Sequence, residues 1–346
     1  LCRASPNENT KGVAVSFAFS GLCTTVRQSL RPVFGLIIAA AVATIGATAP
    51  SLAQSKKAAI VIDANTGKTL YSSSADSSRY PASLTKMMTL YMTFEAMSAG
   101  RISKDSRVVF SSYASSRPPT KIGVRPGGSI TVEQAILSLV TKSANDAATA
   151  LGEMLGGSEA NFARMMTAKA RKLGMNSTTF RNASGLPDPG QKTTARDMAI
   201  LGMSLREHYP KYYSYFSTRS FAFGKSRMAN HNKLLGRVKG VDGIKTGYTR
   251  ASGFNLVSSV KVGDRKIVAV VMGGASGRSR DAEMARLIEA YMPKASSRGS
   301  NPLVAARTIE PQAPIVASVA AQPLKAKNVP APEARPEPAV GTAFSR

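Results

Sequence analysis

Pro81-Ala82-Ser83-Leu84-Thr85-Lys86-Met87-Met88 is the stretch from which the rest of the chain can be read. Leu84, Met87, Met88, Tyr91 and Phe94 recur at helical spacing, and Pro81 suits a helix entry. A helix starting here carries Ser83 and Lys86, three residues apart, on one face. A serine hydroxyl is a poor nucleophile until a base takes its proton. Lysine is such a base where burial and nearby cations depress its pKa. The pair alone is weak evidence, because Ser258-Ser259-Val260-Lys261 repeats it inside a stretch that reads as a strand. There a spacing of three sends Ser258 and Lys261 to opposite faces, so this copy reads as surface filler.

Two further groups lie outward from Ser83. Ser143-Ala144-Asn145 falls between two helical stretches, where a hydroxyl and an amide two residues apart can relay a proton and hold a substrate amide. Taken alone, the same residues read as a helix cap and turn, the majority use of Ser-x-Asn. Lys245-Thr246-Gly247 follows Gly240-Val241-Asp242-Gly243-Ile244. It offers a cation, a hydroxyl and a glycine that lets a ligand approach the backbone of a strand. Its plainer reading is an ordinary edge-strand lysine.

Around these groups the pattern is mixed. Ala58 to Asp63 and Lys68 to Ser73 flank Ala64-Asn65-Thr66-Gly67 and predict a hairpin; Phe254 to Lys261 and Arg265 to Met272 flank Val262-Gly263-Asp264 and predict another. Thr131-Val132-Glu133-Gln134 is a capping-box pattern ahead of an apolar run. Helices are expected from Asn145 through Leu155, from Phe162 to Leu173 with Gly174 as the stop, and from Asp281 to Tyr291 before Pro293. Strands at both ends with helices between predict an α+β body. Its terminal strands share one antiparallel sheet flanked by helices, with a helical subregion from about residue 85 to 180.

The two ends differ from this body. Val33 to Ala49 is an uncharged run behind Arg27 and Arg31, short for a membrane span and suited to the core of an export signal. Cleavage is expected after Ala53, with Ala49 as the alternative, and an uncleaved anchor helix is the competing reading. The first Met is Met87, so residues 1–26 also read as an over-extended start. Residues 295–346 hold eight of the 19 prolines and no helical or alternating period. They read as a flexible Pro/Ala-rich tail without an amphipathic membrane anchor. The domains expected are therefore 1–53 signal, 54–294 folded body and 295–346 tail.

Composition excludes several classes. Both cysteines, Cys2 and Cys23, lie ahead of the body, which removes a cysteine nucleophile, a CxxC redox pair and an Fe–S cluster from it. With two histidines, His208 and His231, and no Gly-x-Ser-x-Gly, a Ser-His-Asp hydrolase is disfavoured. Four cations against one Glu in residues 1–54 leave +23 of the chain's +26 for the remainder. Such charge favours an anionic neighbour: wall polymer, membrane surface or nucleic acid, the last disfavoured by export.

The order Ser-x-x-Lys, Ser-x-Asn, Lys-Thr-Gly is the set carried by penicillin-binding proteins and class A β-lactamases. Asn182-Ala183-Ser184-Gly185-Leu186-Pro187, Thr194-Ala195-Arg196-Asp197-Met198-Ala199 and Asn230-His231-Asn232-Lys233-Leu234-Leu235 add to it. On these residues the chain resembles the low-molecular-mass penicillin-binding proteins, the serine-type D-alanyl-D-alanine carboxypeptidases, over about residues 55–294. The resemblance implies a β-lactamase/transpeptidase-like fold and an acyl-enzyme reaction on peptidoglycan peptides ending in D-Ala-D-Ala, inhibited by β-lactams. It implies Ser83 as nucleophile, Lys86 as its base, Ser143 as proton relay and Asn145 as holder of the peptide amide. Lys245, Thr246, Gly247 and Tyr248 would line the substrate strand, Lys245 keeping the site electropositive. Backbone N–H groups of Ser83 and Tyr248 would form the oxyanion hole. Arg280, with Arg278 as neighbouring candidate, would pair with the terminal carboxylate, which suits a guanidinium fork. His231 reads as structural.

No cofactor or metal is implied, and nucleic acid is not an expected partner. The expected location is the periplasm or cell envelope, and the charge also suits the outer face of the cytoplasmic membrane. A D,D-endopeptidase of the same fold is the near alternative, and a non-catalytic wall-binding protein the alternative of another class. A β-lactamase is disfavoured, since no Glu-x-x-Leu-Asn-type loop supplies a deacylating glutamate. The second β-rich domain and amphipathic C-terminal helix of many relatives are not visible after Pro293.

Overall fold

The computed structural model describes residues 56–299 and Val304. The expected export signal, and the tail beyond residue 299 apart from Val304, lie outside the described residues.

A five-stranded antiparallel sheet organises the body. Its strands are β1 (Ala58–Asp63), β2 (Thr69–Ser73), β7 (Val241–Thr249), β8 (Gly253–Val262) and β9 (Arg265–Gly274), in the order β2-β1-β9-β8-β7. Pairing of β1 with β9 joins the two ends of the body, with Ile60 opposite Val270. All six residues of β1 are buried because helices cover both faces. Ile60, Val257, Val268 and Val270 pack toward α6 (Ala195–His208); Val61, Leu256, Ile267 and Ala269 pack toward α8 (Gly277–Tyr291).

The helical subregion stands between β2 and β7 in the chain. It comprises α1 (Lys86–Ser98), α2 (Ser112–Ser115), α3 (Val132–Thr141), α4 (Asn145–Gly156) and α5 (Glu159–Lys172). Short strands β3 (Arg107–Val109) and β4 (Ser129–Thr131) pair beside it. The Thr131–Gln134 capping box forms as its pattern predicts, with Thr131 Oγ1 accepting from Gln134 N at 3.1 Å. A turn of helix, α7 (Pro210–Tyr213), follows α6. The hairpin β5 (Ser220–Phe223) and β6 (Ser226–Ala229) had no clear alternation in sequence, since its strands are mostly solvent-facing.

Three expectations change. The helix at Ser83 begins as a 3-10 turn, Ala82–Thr85, and becomes α-helical only at Lys86. Every residue from Lys86 to Ala96 is buried, so α1 is a central helix and not a one-faced one. Burying it costs a polar pairing: Glu95 meets Lys169 of α5 at 2.7 Å, both nearly inaccessible. Second, Ser258 and Ser259 are buried in the sheet, and only Lys261 of that repeat is exposed. Third, the ordered chain continues past 294. Ser296 N donates to Asp63 Oδ2 at 2.8 Å, and Asn65 Nδ2 donates to Ser296 O at 2.8 Å, so the β1–β2 turn holds the first residues after the last helix.

Candidate active site

Ser83, Ser143, Asn145, Thr246, Tyr248 and Arg280 line one cavity of about 550 Å³, between the helical subregion and the edge strand β7. Lys86 and Lys245 lie buried behind its wall.

Ser83 sits on the 3-10 turn immediately after Ala82, whose φ is 48°. A non-glycine residue in the left-handed region costs roughly 1 kcal/mol or more and persists only where its surroundings hold it. Two glycines make that possible. Gly185 has φ 85°, and a Cβ there would lie 1.9 Å from Ala82 O. A Cβ on Gly247 would lie 3.1 Å from both Pro81 O and Ser83 N. Strand β7 therefore passes against the turn that carries Ser83 by virtue of the glycine in Lys-Thr-Gly, the close approach that the motif suggested.

Lys86 Nζ is fully enclosed. It donates to Asn145 Oδ1 at 2.7 Å and to Ser184 O at 2.6 Å, and lies 3.4 Å from Ser83 Oγ. Burial, then the Lys245 ammonium, push its pKa well below that of an ordinary lysine; Asp146 and Glu159 oppose this in part. Ser143 has φ 60°, and its Oγ is buried with no hydrogen-bond partner while lining the cavity. Its loop is strapped down: Thr120 Oγ1 donates to Ser143 O at 2.9 Å, Asn145 N to Thr120 O at 2.7 Å, and Asn145 Nδ2 to Pro118 O at 2.9 Å. Asp146 accepts from Ile122 N and Gly123 N at 3.1 and 2.9 Å, which fixes the rest of that loop.

Across the cavity, Lys245 Nζ donates to Thr246 O at 2.8 Å. Burial and then Arg280 push its pKa down to about 7. Tyr248 is exposed, its ring stacked on Phe254 with centroids 4.1 Å apart. Arg280 is buried in the first turns of α8, donating from Nε to Asp281 Oδ1 and from Nη1 to Asn255 O. Arg278 is exposed and not part of the cavity wall, whereas Arg280 lines it together with Arg250.

His231 also lines this cavity, which its reading as a structural residue did not anticipate. The structural work falls to its neighbours: Asn232 Nδ2 donates to Gly243 O at 3.1 Å, and Asn230 Nδ2 to Thr218 O at 2.9 Å. His231 is exposed at the cavity rim, and loss of hydration there, then Lys245, Lys142, Lys233 and Lys86, hold its imidazole down at about 4.

Four groups of the site had no role assigned from sequence. Ser184 O, the second acceptor of Lys86, is presented by a turn in which Asn182 Oδ1 accepts from Ser184 N and Gly185 N. Asn-x-Ser-Gly is a turn signature and could have revealed it. Glu159 Oε1 holds the same loop through Ala183 N at 3.0 Å. Asp146 and Asn255 are buried polar residues whose partners are distant in sequence, and no local pattern marks them.

The family model described as D-alanyl-D-alanine carboxypeptidase, Peptidase S11, matches residues 44–276. The chain belongs to this family. Its match ends just short of Arg280, whose place rests on the cavity geometry. The chain is 34% identical over 248 residues to the Bacillus subtilis D-alanyl-D-alanine carboxypeptidase DacF, covering 70% of this chain and 64% of that one. It is 38% identical over 236 residues to the Escherichia coli enzyme DacA, covering 66% and 59%. It thus spans about three fifths of the length of these curated relatives. Among solved structures, penicillin-binding protein 5 from Haemophilus influenzae superposes with a TM-score of 0.66 at 32% identity, covering 68% of this chain and 70% of that one. The fold is accordingly the β-lactamase/transpeptidase-like one that the motifs implied. Among the described residues no cluster of His, Cys, Asp or Glu suits a metal ion, and no helix is long and apolar enough to cross a membrane.

Proposed function

We propose that this S11-family chain is an exported serine D-Ala-D-Ala carboxypeptidase. It would remove the terminal D-alanine of peptidoglycan pentapeptides through an acyl-enzyme and be inhibited by penicillin. The observation that carries this is the placement of Lys86. A neutral amine has two hydrogens and one lone pair. Asn145 Oδ1 and Ser184 O take the hydrogens at 2.7 and 2.6 Å, which leaves the lone pair for the proton of Ser83 Oγ at 3.4 Å.

In this reading Ser83 Oγ attacks the carbonyl of the penultimate residue as Lys86 Nζ takes its proton. The oxyanion lies between the N–H groups of Ser83 and Tyr248, each donor worth roughly 3 to 4 kcal/mol. Ser143 Oγ, which has no protein partner, passes a proton to the departing amine. Arg280 holds the free carboxylate of the leaving residue with the guanidinium edge that Asp281 and Asn255 do not use. Water then cleaves the ester with Lys86 as base again. Burial, and after it the charge of Lys245, lower the pKa of Lys86, which favours its role as base.

Export to the periplasm or cell envelope is proposed from the apolar run Val33–Ala49 behind Arg27 and Arg31. The net charge of +26 suits work beside anionic wall polymer or the outer face of the cytoplasmic membrane.

Intact-mass measurement of the purified protein with and without benzylpenicillin, beside Ser83→Ala, tests the chemistry. One stable adduct that Ser83→Ala abolishes is expected, together with release of D-alanine from pentapeptide. No adduct on folded protein would sink the reading in favour of a wall-binding protein. Fast drug turnover without adduct would point to a β-lactamase, and cleavage of crosslinked dimer in preference to pentapeptide to an endopeptidase.

A further inference from the structure

Asn255 of β8 ties the carboxylate-binding side of the cavity to the nucleophile side. It is fully buried, directly opposite Gly247 of β7, the residue that passes against Ser83 N. Nδ2 donates to Tyr80 O at 3.1 Å and to Pro81 O at 3.3 Å, the two carbonyls just before the left-handed Ala82. Oδ1 accepts from Gly273 N at 3.0 Å. That bond fills an irregularity in the β8–β9 ladder: Phe254 pairs with Gly274 but Leu256 pairs with Val271, so β9 carries one extra residue opposite Asn255. The backbone oxygen of Asn255 accepts from Arg280 Nη1 at 2.9 Å. The arginine's Cβ sits against β9 as well, since a Cβ on Gly274 would lie 2.9 Å from it. One residue thus touches the backbone leading to Ser83, the end of β9 and the guanidinium of Arg280.

Resting on the serine-peptidase reading above, we propose that Asn255 is a positioning residue that sets the distance between Arg280 and Ser83. It touches neither the substrate nor the reacting atoms. Its effect is to make a carboxylate held at Arg280 deliver the scissile carbonyl onto Ser83 Oγ. Misplacement of reacting atoms by about 1 Å costs on the order of 100-fold in rate, so a bond network that fixes this span is worth a large part of that factor. Asparagine suits the task because it supplies two donors and an acceptor from one short planar group.

The test is a double-mutant cycle on acylation by benzylpenicillin, whose carboxylate and reactive carbonyl lie on one rigid nucleus. Asn255→Ala alone should slow acylation about 30-fold, and should slow it less than about 3-fold in an Arg280→Ala background, because residues acting as a unit are non-additive. Thermal unfolding of each variant is recorded alongside. Should Asn255→Ala fail to fold, the isosteric Asn255→Asp keeps the acceptor for Gly273 N–H, loses the amide donors and is read through the same cycle. Equal losses in both backgrounds would make Asn255 a merely structural residue and overturn the coupling, as would no loss at all. Absence of acylation in the unmutated protein would instead overturn the serine-peptidase reading, and this inference with it.

Discussion

The chain contains Ser-x-x-Lys twice, and the two copies meet opposite fates. At Ser83 a 3-10 turn running into α1 brings Lys86 Nζ to 3.4 Å from Ser83 Oγ and buries the amine. At Ser258 the same spacing lies on β8, so the serine is buried in the sheet and Lys261 points to solvent. A lysine in water keeps its ordinary pKa, whereas burial and then a neighbouring lysine push that of the enclosed one well down. The motif becomes chemistry only where the backbone puts both groups on one side and the surroundings exclude water.

The largest test of that contrast is removal of each lysine. Lys86→Ala should slow penicillin acylation by about 1,000-fold or more, within the range expected for loss of a general base, while Lys261→Ala should change it less than about 2-fold. Timed intact-mass spectra read both, and a comparable loss at Lys261 would break the comparison.

The next pair is two buried hydroxyls, since the Oγ atoms of Ser143 and Ser258 both lack a hydrogen-bond partner. Ser143 faces the cavity and Ser258 the sheet interior. Ser143→Ala should cost about 100-fold in acylation. Ser258→Ala should leave the rate alone and raise the unfolding free energy by up to about 1 kcal/mol, because an unpaired hydroxyl is removed. Denaturant titration beside the acylation assay separates the two outcomes.

A smaller effect is expected from glycines beside the two copies. Gly185 has φ 85° and packs on Ala82 O, whereas Gly263 has φ 57° with open space around it. Gly185→Ala should destabilise by about 2 kcal/mol more than Gly263→Ala, since the second meets backbone strain alone. Equal losses would mean that the Ser83 turn does not depend on this close approach.

The smallest effect is on pH. Lys245 lowers the pKa of Lys86, so Lys245→Ala should move the acid limb of the acylation profile to higher pH. Lys245 itself titrates at about 7 in the fold against 10.5 for a free side chain. Between these values the unfolded chain binds more protons, so stability rises with pH across that window, and Lys245→Ala should flatten the rise. An unchanged acid limb would show that burial alone depresses Lys86.

Sequence by itself determined the elements whose signals are local. The hairpin at Asn65-Thr66-Gly67, the capping box at Thr131 and the hairpin at Val262-Gly263-Asp264 all read directly, because turn chemistry and capping depend on neighbours within a few residues. The three motifs that meet at the cavity read through their order along the chain. Tertiary structure alone decided which Ser-x-x-Lys is enclosed, that α1 is buried on every side, and that His231 faces the cavity. It alone decided that Ser184 O completes the shell of Lys86 and that Asn255 reaches Tyr80 from 175 positions away. Burial and pKa are properties of the space around a side chain, and that space is filled by residues distant in sequence.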